Sequence, residues 1–194
     1  MANKKTRAVT HEELEKIVTA IREGFITADG RHVRKNPRVA AVIIVMANTG
    51  VRVGDAVRLK LKDFTYEGGK YKFNNFVEQK TGKVRNFNIT TELYSFLQTY
   101  ALDNNIKPNE RLFPISVRTV QNHVKLACDH LGIKNCSTHS FRKYLATQVF
   151  DLTKDLEITR SVLLHSSIMT SQIYLSYEPE RVDNALQQIV AIPT

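Results

Sequence analysis

Apolar positions fall first at helical spacing, then at strand spacing, then at helical spacing again. Leu14, Ile17, Val18 and Ile21 share one helical face, and Thr10-His11-Glu12-Glu13 ahead of them has the form of a capping box, so a first helix is predicted over 10–24. Residues 25–36 are polar and basic and read as a solvated loop. Pro37 can open a second helix and Gly50 can end it; the stretch 39–47 between them is apolar on every side, which marks a buried helix. Three segments, 62–66, 70–78 and 83–89, are rich in aromatic and β-branched residues. Glu67-Gly68-Gly69 and Lys80-Thr81-Gly82 separate them, which predicts a small antiparallel sheet. From Thr90 the spacing is helical once more: Leu93, Phe96, Leu97 and Tyr100 share a face, and Val117, Val120, Val124, Ala127 and Leu131 form another helix stopped by Gly132. Shorter helices are expected over 140–150, 155–163 and 169–174, and a last one starts near Pro179 with Val182, Leu186, Ile189 and Val190 on its stripe. The fold class is therefore α+β, mainly α, with a three-stranded antiparallel sheet at one edge.

Length and composition narrow the field. The 194 residues suit one domain able to bury a core without disulfides or metals. Twenty-eight Lys and Arg against nineteen Asp and Glu give a formal charge of +9, which favours a polyanionic partner, nucleic acid first. Cys128 and Cys136 lack zinc-site spacing and are too few for a disulfide scaffold, so both are read as reduced thiols. The apolar run 39–47 is far short of the roughly 20 residues that cross a bilayer, and no apolar stretch follows the basic start, so a cytoplasmic location is expected.

Six polar residues stand beside apolar elements or at turns: Arg52, Lys80, His139, Arg142, His165 and Tyr174. Each has an ordinary reading. Arg52 follows a buried helix and a Gly, where it can form a helix-end salt bridge with Asp55 three residues on. Lys80 sits at a hairpin turn, where most lysines are simply solvated. His139 and Arg142 share a helical face and can converge on one anion, or can sit at a solvated helix start. His165 can be a capping histidine and Tyr174, near Tyr177, a half-buried aromatic.

Taken together and in this order, these residues resemble the tyrosine recombinase and phage integrase family. Asn48-Thr49-Gly50-Val51-Arg52-Val53-Gly54-Asp55 is similar to its Thr-Gly-x-Arg box with a following acid, and Gln79-Lys80-Thr81-Gly82-Lys83 to its lysine hairpin. His139-Ser140-Phe141-Arg142 matches the His-x-x-Arg box. His165, with Tyr174 nine positions later, resembles the segment holding the third basic residue and the nucleophile, a spacing that selects Tyr174 over Tyr177. Two positions depart from the pattern: Leu164 stands where Gly is usual, and Lys143 where His is common.

The resemblance implies a site-specific recombinase that cleaves and rejoins DNA through a 3′-phosphotyrosine. It assigns Tyr174 as nucleophile, with Arg52, Lys80, His139, Arg142 and His165 as the other catalytic groups and Asp55 supporting Arg52. No metal or cofactor is expected. Further contacts to double-stranded DNA are expected from Arg31, Arg34, Lys35, Lys83 and Lys143. The resemblance also implies a single catalytic domain over 1–194 without the family's N-terminal helical domain, self-association on DNA, and a C-terminal helix and tail, 178–194, that can be exchanged between subunits. A mobile element or prophage is the family's usual setting. Two rivals remain: a DNA-binding accessory protein of the same fold without catalysis, and a strand-relaxing enzyme of the related type IB topoisomerase kind, which shares the mechanism but not the synaptic assembly.

Overall fold

The computed structural model describes residues 6–163. Helix α1 (His11–Glu23) begins at the expected capping box: the Thr10 hydroxyl accepts the Glu13 N–H and the Glu13 carboxylate accepts the Thr10 N–H. Residues 25–36, expected as loop, instead contain a small antiparallel hairpin, β1 (Phe25–Ile26) with β2 (His32–Val33). Its anchor is long-range: the Phe25 ring stacks on His130, with centroids 4.6 Å apart. Gly24 makes the approach possible, since a Cβ there would meet the Val33 carbonyl oxygen at 2.8 Å.

Helix α2 (Pro37–Thr49) starts at Asn36, whose side chain accepts the Val39 N–H, and ends at Gly50 in the left-handed region. Every residue of 39–47 except Ile44 is buried, because α2 is enclosed by α1, α5 (Val117–His130) and α6 (Thr138–Thr153). This is the all-round burial that its apolar pattern predicts. A short helix, α3 (Val53–Ala56), follows Arg52.

The sheet is antiparallel in the order β3 (Phe64–Glu67), β4 (Lys70–Val77), β5 (Val84–Asn88). Phe73 and Phe76 are both buried, although three positions of regular strand would turn them to opposite faces. A bulge between them, with Asn75 at φ +54°, resets the phase, so Phe76 and Glu78 turn inward and Val77 turns out. Helix α4 (Thr91–Asp103) follows the sheet, and α7 (Leu156–Leu163) packs on α6. Helix α6 begins before the expected residue 140: Ser137 accepts the His139 N–H, which draws His139 and Arg142 into the first turns.

Cys128 and Cys136 are free thiols. No helix among the described residues is long and apolar enough to cross a membrane. The expected helix over 169–174, the C-terminal helix, His165 and Tyr174 lie outside the described residues.

Candidate active site

The C-terminal end of α2 leaves carbonyls without intrahelical partners, and two arginines reach these and carbonyls of α7. Arg142, on α6, donates to the Gly50 and Leu163 carbonyls; Arg85, on β5, donates to Thr49 at 2.7 Å, Val162 at 3.2 Å and Gly50 at 3.3 Å. Cations at the C-terminus of α2 also suit that helix's dipole. Both guanidinium side chains are buried, Arg85 at 0% and Arg142 at 1% exposure. Gly50 fits tightly between these groups, since a Cβ there would stand 3.0 Å from both Leu145 and Leu163.

Glu78 is the anion that makes this burial tenable. Its Oε1 accepts Arg85 Nη2 at 2.7 Å and Nε at 3.0 Å and lies 3.8 Å from Arg142 Nη1; its Oε2 accepts Arg52 Nη1 at 2.6 Å and the Thr81 hydroxyl at 2.7 Å. Burial pushes the Glu78 carboxyl up, but the Thr81 hydroxyl and the Arg85 and Arg52 guanidiniums outweigh it and hold its pKa down at about 2. Burial lowers the pKa of Arg85, and Glu78 opposes that shift.

Arg52 stands at the N-terminal boundary of α3 with its side chain 22% exposed, so one nitrogen of the fork holds Glu78 while the group still reaches the surface. Asp55, expected to pair with Arg52, does something else: its Oδ1 accepts Arg58 Nη1 at 3.2 Å and the Gln79 N–H at 2.9 Å. Arg52 has extended backbone at the N-cap of α3, so it does not share a helical face with Asp55, and Glu78 already occupies its guanidinium.

Lys80 is exposed at the β4–β5 turn, and the turn itself is firmly held. Gln79 is fixed by Asp55 and Thr81 by Glu78, while the Glu78 N–H donates to the Lys83 carbonyl and the Gly82 N–H to the Glu78 carbonyl, both at 2.9 Å. His139 is exposed on the first turn of α6. Its pKa is lowered, first by partial burial of the ring and then by the charges of Arg142, Arg52, Lys80 and Lys143, all of which favour the neutral imidazole. Those same charges place His139 within the field of both arginines and of Lys80. Among the described residues, Arg52 and Arg142 thus meet at one buried carboxylate, the Lys80 turn is tied to it through Thr81 and braced by Asp55, and His139 lies in the field of the three cations.

The expected DNA contacts divide. Arg31, Arg34 and Lys35 are exposed beside the β1–β2 hairpin, and Lys83 is half-buried at the lysine turn. Lys143 is a correction to the expected surface cation: it is buried and its ammonium donates to the Thr6 carbonyl, because α6 turns that face into the domain. Glu78 and Arg85 were not anticipated from sequence. Arg85 could have been, since it is in phase with Phe87 and Ile89 on one strand face; Glu78 could not, because the bulge sets its phase.

Residues 7–181 match the model of the phage integrase family. The chain belongs to the phage integrase family, and its fold is that of a tyrosine recombinase catalytic domain. Tyrosine recombinase XerH of Helicobacter pylori (strain ATCC 700392 / 26695) is 28% identical over 194 residues, covering 94% of this chain and 52% of that protein. The chain therefore spans about half the length of that curated relative. The XerH site-specific recombinase bound to difH substrate in a pre-cleavage complex superposes with a TM-score of 0.68 at 26% identity, over 97% of this chain and 56% of that one. The catalytic domain of bacteriophage HP1 integrase shares the fold at a TM-score of 0.63 and 19% identity, covering 95% of both chains.

Proposed function

We propose that this chain is the catalytic domain of a site-specific recombinase that cuts and rejoins double-stranded DNA through a 3′-phosphotyrosine at Tyr174. The observation that carries the reading is the joining of Arg52 and Arg142, ninety positions apart, by one buried carboxylate, with the Lys80 turn tied to that carboxylate and His139 in their field. Family membership supports the same roles.

A DNA phosphodiester carries a charge that repels nucleophiles, and charge on its non-bridging oxygens must be stabilised as phosphorus becomes five-coordinate. Arg52 and Arg142 remain charged at any working pH and offer planar forks of donors, and His165 adds a further donor. The Tyr174 oxygen forms a bond to phosphorus as the bond to the 5′ oxygen breaks; the phenol proton departs with the help of neutral His139, and Lys80 supplies a proton to the leaving oxygen. The phosphotyrosine bond conserves the energy of the bond broken, so a free 5′-hydroxyl reverses the step without ATP.

The rest of the assignment follows from this reading. The domain occupies 1–194 and acts in the cytoplasm at the nucleoid, Arg31, Arg34, Lys35 and Lys83 contact DNA, and copies self-associate on DNA with 178–194 exchanged between subunits. Affinity for DNA falls steeply with salt. On a pool of nicked duplexes randomised around the nick, the chain forms SDS-resistant adducts, and Tyr174→Phe abolishes them while gel-shift binding is nearly retained. Adducts that persist in Tyr174→Phe would overturn the assignment.

A further inference from the structure

Among the described residues no backbone hydrogen bond links the segments that carry Arg52, Lys80 and Arg142, yet one side chain contacts all three segments. Glu78 accepts Arg52 on Oε2, lies 3.8 Å from Arg142 through Oε1, and takes the hydroxyl of Thr81, the neighbour of Lys80. It is wholly buried, so water does not compete for these contacts. We propose that Glu78 is a positioning residue for strand cleavage, a carboxylate that fixes the two phosphate-binding guanidiniums and the Lys80 turn relative to one another, with Arg85 as its internal counter-cation. The inference rests on the recombinase reading.

Arg85 has a different part from the other two arginines. It is fully buried, so it cannot reach a DNA phosphate; its remaining donors are spent on Thr49, Gly50 and Val162. It pins Glu78 to the C-terminal end of α2 and to α7, which also hold Arg142. Three guanidiniums share one carboxylate, so the cluster keeps a positive excess, and Arg52 carries it to the surface where a phosphodiester would complete the neutralisation. A carboxylate suits this task better than a neutral amide because its two oxygens together accept Arg52, Arg85 and Thr81 at once.

The competing account is that Glu78 merely neutralises Arg85. Glu78→Gln alone leaves Arg85 buried beside a neutral group and can fail to fold, so the test uses the paired change Glu78→Gln/Arg85→Met, which removes the buried charges together. Adduct formation is timed on a nicked duplex enriched from the randomised pool, and on the same duplex with an uncharged methylphosphonate at the cleaved position. The expected result is a rate about 10- to 100-fold below that of the unsubstituted chain on the phosphodiester, the range lost when a positioning group or an oxyanion donor is removed. On the methylphosphonate, which has no charge for the arginines to stabilise, the gap closes to within about 3-fold. Equal rates on the phosphodiester, or a defect of the same size on both duplexes, would overturn the proposal.

Thr81→Val leaves every charge in place and tests the Lys80 arm separately. It is expected to slow cleavage of the normal ester by about 3- to 10-fold and to have no effect when sulfur replaces the bridging 5′ oxygen, because a thiolate leaves without needing a proton. A defect that persists with the sulfur ester would overturn this arm. Absence of adducts with the unsubstituted chain on every duplex would overturn the recombinase reading itself.

Discussion

Glu157 takes Arg160 three residues along the outer face of α7, with Nε donating at 2.8 Å, whereas Glu78 takes Arg85, Arg52 and, at longer range, Arg142 from separate segments inside the molecule. The first pair follows from helical spacing and stands in water, where Coulomb attraction is screened and two long side chains lose freedom to meet. The second removes carboxylate and guanidinium from solvent, which is tolerable only if each finds its partners. The difference teaches where charge matters in this fold: a local ion pair decorates the surface, while the long-range one joins the sheet to the end of α2 and to α7 and ties together the arginines of the candidate active site.

The largest effect should come from breaking the buried network on one side only. Glu78→Ala leaves Arg85 without its carboxylate, and loss of one partner of a buried pair costs about 3–5 kcal/mol. For a domain of this size the melting temperature should fall by roughly 10 °C, measurable by circular dichroism. A fall of a degree or two would show that water reaches the cluster and that its burial is nominal.

The next effect is in acid. The Glu78 pKa is depressed from the ordinary 4.5 to about 2, so as pH falls the unfolded chain takes up the proton before the folded one does. Its contribution is complete above about pH 4.5 and is lost as pH drops toward 2, up to roughly 3 kcal/mol by linkage, part of it offset by the burial of Arg85. Urea unfolding at pH 7, 4 and 3 should therefore show the gap between the unsubstituted chain and Glu78→Ala narrowing as pH falls. A gap independent of pH would mean that the carboxylate is not held ionised. The smallest effect is on α7, where Glu157→Ala should leave the melting temperature almost unchanged at every pH; a clear loss would erase the contrast between the two glutamates.

Local signals carried much of the architecture. The Thr10–Glu13 capping box, the Pro37 and Gly50 limits of α2, its all-round apolar surface and the glycine-punctuated strands all report short-range physics, and the structure keeps them. Long-range contacts decided the rest. The β1–β2 hairpin exists because Phe25 finds His130 across the chain, Lys143 turns inward because α6 presents it to Thr6, and Asp55 serves Gln79 and Arg58 because Glu78 claims Arg52. The candidate site was legible at Arg52, Lys80, His139 and Arg142 through motif spacing. Its buried support was not, since a single bulge at Asn75 decides that Glu78 points inward.

The most direct measurement is the mass of the nucleotide-bearing peptide released by protease from the covalent adduct. The account predicts a 3′-phosphoryl nucleotide carried on Tyr174, with a 5′-hydroxyl on the freed strand. A nucleotide on Tyr177 or on any other side chain, or a linkage through the 5′ phosphate, would contradict it.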